Sequence, residues 1–231
     1  VILLKAYGID VSEWQGDINW SQVQTDFAVI RAGYGRSALQ RDKKFTANYE
    51  GCNANNIPCG AYWYSYAVTP EDALLEAEAC LEVIKGGKYA YPIYYDVEQP
   101  EHFALGKAGV SEIIRTFLNK LESCGYWVGL YMSAYYLSNY VEDDIRNRYS
   151  IWVAHHDVDS PDYYGSYGMW QRSSTGLVGG IVGNVDLDIC YVDYPSEIRK
   201  ACLNGFAAET TKYVELTIDG STYAGELTLV I

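Results

Sequence analysis

The chain lacks any apolar run long enough to cross a bilayer. Although 49% of its residues are hydrophobic, no stretch approaches the ~20 consecutive apolar residues that a spanning helix needs. Val1 to Leu4 is too short to read as a signal peptide, so a soluble globular protein is expected. Cationic side chains are scarce as well. Against 30 Asp and Glu stand 17 Lys and Arg, a formal net charge of −13. Nucleic acids and anionic membranes are recognised through clustered basic residues, so neither is expected as a partner. The six cysteines, Cys52, Cys59, Cys80, Cys124, Cys190 and Cys202, contain no CxxC pair, which disfavours zinc-ribbon and thioredoxin-like chemistry. With Cys80 in a helical pattern and Cys190 in a strand pattern, buried free thiols are expected. No Gly-rich phosphate loop follows the first strand, which removes a nucleotide-binding reading. Of the histidines only His102 stands apart from the adjacent pair His155 and His156. Neighbours on a strand face opposite ways, so neither a metal site nor a cofactor is expected.

What the chain has in abundance is aromatic surface, with 23 Tyr and 6 Trp. Rings with one polar edge suit sugars, whose faces are apolar and whose rims carry hydroxyls. Most should fill the core and a handful should line a groove. A length of 231 residues gives room for one domain with a full core and a short appendage. Eight apolar and aromatic runs read as strands: Tyr7–Ser12, Phe27–Tyr34, Cys59–Tyr66, Tyr91–Glu98, Trp127–Ser133, Ser150–His155, Gly168–Arg172 and Val185–Tyr191. Helix-like segments between them imply repeated βα units around a parallel sheet. Thr69-Pro70-Glu71-Asp72 predicts a capped helix running to Gly86 and Gly87. Ser111 is expected to cap another, with Ile114, Phe117, Leu118 and Leu121 on one face and a stop at Gly125. After Trp152 the helical spacers disappear, and Ser173–Asn184 reads as a Gly-rich loop too short for a crossover helix. The last strand should therefore run antiparallel in an irregular α/β barrel with about five βα units. Beyond Leu203-Asn204-Gly205, alternation over Tyr213–Ile218, a turn at Asp219-Gly220 and a second run over Tyr223–Ile231 predict a C-terminal β-hairpin. The expected division is a barrel over 1–206 and a tail over 207–231.

In Tyr91-Pro92-Ile93-Tyr94-Tyr95-Asp96-Val97-Glu98 the side chains alternate, so Tyr94, Asp96 and Glu98 share one face. Two carboxylates on one face are expensive inside a barrel but suit the C-terminal end of a strand, where such barrels open to their substrates. Like charges this close push one proton affinity up and leave an acid beside an ionised partner, as glycosidic cleavage requires. Glu98 is the expected acid. Asp10 ends the first strand and Asp186 starts the last. A reversed last strand would bring Asp186 to the rim of Asp10, and four carboxylates would line one cleft.

Three separated motifs, Tyr7-Gly8-Ile9-Asp10-Val11-Ser12-Glu13-Trp14-Gln15-Gly16, Tyr94-Tyr95-Asp96-Val97-Glu98, and Trp170-Gln171 through Ser173-Ser174-Thr175-Gly176 to Val185-Asp186-Leu187, resemble family 25 glycoside hydrolases, lysozymes of Chalaropsis and phage-endolysin type. The resemblance runs from about Tyr7 to Leu203. It implies a flattened, TIM-like barrel with five helices that cleaves the bond from N-acetylmuramic acid to N-acetylglucosamine in bacterial peptidoglycan. It implies Glu98 as general acid with Asp96, Asp10 and Asp186 as companion acids. Asp96 would either hold the substrate's N-acetyl group as internal nucleophile or leave an aspartate to activate water. With strand parity, the resemblance points to Tyr62, Tyr64, Tyr131, Trp170 and Gln171 as substrate-binding residues. The implied protein is a monomer working outside the cell or in the wall. Departures from the family pattern are His155-His156, Arg172 and Asp188, all expected near the rim.

Two other readings remain open at this point. Family 18 chitinases also place a D-x-E motif on the fourth barrel strand, but with further aspartates where this chain has Tyr94 and Tyr95. A catalytically silent wall-binding module would keep the aromatics and need no titrating carboxyl, whereas here both acids are intact.

Overall fold

The computed structural model describes residues 5–207, 210–218 and 221–229. Eight strands close into a barrel in sequence order: β1 (Ala6–Val11), β2 (Phe27–Tyr34), β3 (Cys59–Tyr64), β4 (Ile93–Asp96), β5 (Val128–Ser133), β6 (Ser150–Ala154), β7 (Met169–Gly176) and β8 (Val185–Cys190). Neighbours from β1 to β7 are parallel. β8 is antiparallel to both β7 and β1, pairing Ala6 with Cys190 and Asp10 with Asp186. The reversal follows from loop length, because the short link after Gly176 cannot carry the chain back along the barrel as a parallel crossover must. β7 itself continues through Gly176, so the first part of the expected Gly-rich loop is strand.

Among the described residues seven α-helices accompany the strands: α1 (Phe45–Ala54), α2 (Pro70–Ile84), α3 (Pro100–Phe103), α4 (Gly106–Ser123), α5 (Ala134–Tyr140), α6 (Asp143–Arg148) and α7 (Tyr194–Lys200). Periodicity suggests about five, and the surplus comes from one- and two-turn pieces such as α3 and α6, too short to show a 3.6-residue repeat. The β1–β2 link holds only 3₁₀ turns at Glu13–Gln15 and Trp20–Gln22. At α2 the Thr69 side chain accepts from the Asp72 N–H, Pro70 fills the first position and Glu71 and Asp72 face the positive end of the helix dipole. Ser111 is not a cap. The helix begins a turn earlier, at Gly106, and Ser111 lies buried within α4, where its hydroxyl accepts from Glu142 N–H at 3.0 Å.

Strand alternation divides the apolar residues into two regions. The outward faces of the strands, with Ile9, Ile30, Trp63, Tyr95 and Leu130, pack under the helices. The inward faces fill the barrel with Phe27, Val29, Tyr94, Trp152, Met169 and Cys190, closed at one end by Tyr194 and Ile198 of α7. Tyr91 stacks on Phe27 at 4.5 Å between ring centres, and Tyr194 meets Tyr91 edge-on at 6.0 Å. Rings this large fit because inward positions such as Gly8 and Gly129 carry no side chain: a β-carbon at Gly8 would run into the Phe27 ring, and one at Gly129 into Tyr94. With its N-terminal end plugged, the barrel opens only where the parallel strands end.

Asn204, with φ of 55°, ties the end of the barrel chain to its start points. Its side chain accepts from Trp127 N–H at 2.7 Å and donates to the carbonyls of Tyr89 and Tyr91 at 3.0 and 2.9 Å. Further on, β9 (Thr210–Ile218) and β10 (Ser221–Leu229) pair antiparallel from Thr210–Leu229 to Ile218–Ser221, the expected hairpin. Its turn residues Asp219 and Gly220 lie outside the described residues. All six cysteines are free, four of them buried and Cys124 and Cys202 exposed.

Gly8→Ala should cost about 1–3 kcal/mol by over-packing the barrel against Phe27, read as a lowered urea midpoint. Adding Phe27→Leu should return part of the loss, whereas purely additive effects would mean that the ring does not set the requirement for glycine.

Candidate active site

A cleft of about 710 Å³ lies at the C-terminal end of the parallel strands. Its walls are residues at the ends of several strands: Asp10 from β1 and Ser12 just beyond it, Arg31 and Tyr34 from β2, Tyr62 and Tyr64 from β3, Asp96 and Glu98 from β4 and just beyond it, Tyr131 from β5, Gln171 from β7 and Asp186 from β8. The four acids named from the sequence, Asp10, Asp96, Glu98 and Asp186, therefore share one cavity. Glu13 makes a fifth carboxylate on the lining, and Arg31 is the one Lys or Arg among the lining residues.

That guanidinium is already engaged. Arg31 sits 2.7 Å from Asp42 and 3.0 Å from Glu13, and Asp42 is fixed in turn by the backbone N–H groups of Glu13 and Lys44. Little positive charge is left for the other acids, so burial and mutual repulsion dominate them. Burial, then Glu98, holds Asp96 well above the ordinary carboxylate range, and Arg31 only partly offsets them. Burial raises Glu98 as well, with Asp186 adding to it and the Tyr64 hydroxyl and His156 pulling it back. Asp10 is raised by burial and then by Asp188 and Asp186. Asp186 is raised by burial and eased by His156 and Asp10. The cleft thus raises the proton affinity of all four carboxyl groups, the direction that general-acid work requires.

Hydrogen bonds orient the group. Gln171 Nε2 donates to Asp10 Oδ2 at 2.7 Å, while Gln171 Oε1 accepts from Tyr131 OH at 2.7 Å and lies 2.8 Å from His156 Nε2. One amide thereby links an acid, an aromatic and a histidine. Glu98 stands just past β4 beside Tyr64, whose hydroxyl accepts from the Gln99 side chain. Asp96 Oδ1 is buried without a protein partner.

Trp170 does not join the cleft. It is adjacent to inward-facing Gln171 and so faces the opposite way, packed in the outer core with Nε1 donating to His155 O at 2.8 Å. Asp188 is not at the rim either. Because β8 runs backwards, two residues beyond Asp186 is deeper in the barrel, where Asp188 is buried and accepts from Trp152 Nε1 at 2.8 Å. Burial is the main cause of its shift and, with Asp186, pushes it up to about 8 against the pull of the Trp152 N–H. Trp14, Tyr34, Tyr66, Trp152 and Arg31 line the cleft without having been singled out from the sequence. Two signals for them were present: Tyr66 continues the parity of Tyr62 and Tyr64, and Arg31 is a lone charge in the apolar run Phe27–Tyr34. His156 reaches the site from just beyond β6.

Residues 9–181 match the profile described as Glycosyl hydrolases family 25. The chain belongs to that family. This family 25 chain is 30% identical to Lysozyme M1 of Streptomyces globisporus over 197 residues, 78% of this chain and 65% of that protein. Among solved structures it superposes on the modular autolysin LytC of Streptococcus pneumoniae, in complex with a synthetic peptidoglycan ligand, with a TM-score of 0.73 and 29% identity, covering 81% of this chain and 47% of LytC. The bacterial lysozyme of Streptomyces coelicolor gives a TM-score of 0.71 at 27% identity, covering 87% and 97% of the two chains. The chain spans just under two thirds of Lysozyme M1 and about half of LytC.

Asp188 generates a pH prediction. Its folded proton affinity, about 8, exceeds that of an unfolded aspartate, about 3.9. The native state then keeps a proton that the unfolded chain releases, and this contribution is full below about pH 4 and lost as pH rises through about 8. Asp188→Asn keeps an acceptor for Trp152 and removes the titration. Urea denaturation should show the variant gaining on the wild type as pH goes from about 5 to 8.5, and a constant difference would rule out a retained proton.

Proposed function

We propose that this family 25 chain is an N-acetylmuramidase, a lysozyme that hydrolyses the β-1,4 bond between N-acetylmuramic acid and N-acetylglucosamine in bacterial peptidoglycan. The observation that carries the proposal is the meeting of Asp96 and Glu98 in one aromatic-walled cleft, where the proton affinity of both carboxyls is raised above its ordinary value. Membership of the family and likeness to bacterial lysozymes support it. Cleavage needs a proton for the departing sugar oxygen. Glu98 is raised, less buried than Asp96, and stands at the strand end, so it is placed to supply that proton. Asp96 is deeper, and its unpartnered Oδ1 suits the N–H of the sugar's 2-acetamido group, steering the acetyl oxygen toward the anomeric carbon. Asp10 and Asp186 flank them and hold water and substrate hydroxyls.

Tyr62, Tyr64, Tyr131 and Gln171 line the cleft and would contact the glycan, with Tyr34, Tyr66 and the largely exposed Trp14 extending the wall. The cleft offers no clustered cations for a polyanion, and no helix among the described residues is long and apolar enough to cross a membrane. The substrate lies in the wall, so the site of action is outside the cell membrane. We assign the chemistry to residues 1–206, acting as a monomer without metal or cofactor, and treat 207–231 as a separate tail.

Digestion of purified peptidoglycan, followed by borohydride reduction and mass spectrometry, tests the reading. Wild type should release muramic-acid reducing ends, and Glu98→Gln should lower the rate by about 10²-fold or more. Asp96→Asn should also lose most activity, while Trp170→Phe should leave KM within about twofold because that ring faces away from the cleft. Glucosamine reducing ends would sink the proposed bond, and wall binding without any release would identify a silent binding module.

A further inference from the structure

Behind the cleft, on the outer side of β4, runs a buried polar chain that the hydrolytic step does not touch. Tyr95, between Tyr94 and Asp96, turns outward and stacks on Phe117 of α4 at 3.8 Å between ring centres. Its hydroxyl donates to Glu76 Oε2 at 2.7 Å and accepts from Ser65 Oγ at 2.8 Å. Glu76, in α2 and wholly buried, also accepts from Tyr66 N–H at 2.7 Å. At the other end Ser65 Oγ lies 3.3 Å from His102 Nε2 and accepts from Ala67 N–H at 3.1 Å. Fully buried His102 takes the Gln99 N–H on Nδ1 at 3.1 Å.

These contacts admit one order of protons. The Gln99 N–H occupies Nδ1, so a neutral His102 carries its proton on Nε2 and donates it to Ser65. Ser65, with both lone pairs taken by His102 and Ala67, must donate to Tyr95. Tyr95 then donates to Glu76 Oε2. A protonated His102 would set two donors face to face at Gln99. Burying a carboxyl group and an imidazole among neutral partners is costly compared with an apolar filling of the same space. What the chain provides in return is attachment. One end holds the backbone of Gln99, the residue after Glu98, whose side chain also binds the hydroxyl of Tyr64. The other end holds the backbone of Tyr66. Glu98, Tyr64 and Tyr66 all line the cleft.

We propose that His102 is a positioning residue of the hydrolysis: as the neutral Nε2–H tautomer, it clamps the Glu98–Gln99 segment through Nδ1 and anchors that clamp through Ser65 and Tyr95 to Glu76. The inference rests on the reading of Glu98 as the acid. A misplacement of the order of 1 Å costs a reaction up to ~10²-fold, so the effect belongs in kcat.

The test compares His102→Asn, His102→Gln, His102→Ala and Tyr95→Phe by kcat and KM on soluble glycan fragments, each at a temperature where circular dichroism shows it fully folded. The oxygen of Asn falls where Nδ1 stood and restores the Gln99 contact, whereas the amide of Gln falls nearer Nε2 and leaves Gln99 N–H unmet. The expected result is a fall in kcat of roughly tenfold or more for Ala and Gln, recovery to within about threefold for Asn, and KM little changed throughout. Tyr95→Phe, which removes one hydroxyl and keeps the stacked ring, should lower kcat without unfolding the protein. Equal kcat in Ala, Asn and wild type overturns the proposal, as does equal damage from Asn and Gln. An inactive wild type would instead overturn the muramidase reading itself, which keeps the two failures apart.

Discussion

The antiparallel seam between β1 and β8 is the constraint on which the active end of this barrel depends. A parallel eighth strand would present its C-terminal residues to the cleft, and those are the apolar Ile189 and Cys190. Reversal presents Asp186 instead, opposite Asp10, and carries Asp188 inward beneath Trp152. Acids thus enter the cleft from both sides of the seam while Asp96 and Glu98 arrive from β4. Because Arg31 is committed to Asp42 and Glu13, the repulsion among these acids is only partly offset, and their proton affinities are raised. The chemistry of the site is in this sense a property of strand direction before it is a property of any one residue.

The aromatic content serves both ends of the same cylinder. Phe27, Tyr91 and Tyr194 close one end by stacking and edge contacts, and Trp152 lies above them, touching Tyr62, Tyr94 and Tyr131. The floor of the cleft is therefore a layer of packed aromatic rings. Charge above such a floor is poorly solvated, which strengthens both the shifts on the carboxyls and any dipole aimed at the substrate. Gly8 and Gly129 are part of this arrangement, since without their missing side chains the rings could not interleave.

Most of this was legible in the sequence wherever a period or a stop signal existed. Strand alternation located all eight strands, and the ends of β2 match the expected Phe27 and Tyr34. The lost helical spacer after Trp152 indicated the reversed strand. Alternation put Asp96 and Glu98 on one face, and the strand ends with the reversal of the last strand brought Asp10 and Asp186 to the same cleft. Where it was not applied strictly the reading went astray: Trp170 and Gln171 are neighbours, and only one of them can face the cleft. Parity gives a face but not a depth, so Asp188 was expected at the rim although a backward strand takes it into the barrel. Short helices have no repeat to detect, and a serine inside α4 resembles a cap until its hydroxyl is seen bonding to Glu142 N–H. The buried chain from Glu76 to His102 left no mark in the sequence, because its members are far apart and no motif joins them.

Asn204 bears on how much polypeptide the fold needs. The profile match stops at residue 181, ahead of β8 and of this asparagine. Yet Asn204 holds the carbonyls of Tyr89 and Tyr91, just before the strand that carries Asp96, and the N–H of Trp127, at the entry to the next strand. A fragment trimmed to the matched region would lose Asp186 outright and would also leave three backbone groups at the start of β4 and β5 without their buried partner. By these contacts Asn204 belongs with the barrel, which it fastens at the end away from the cleft.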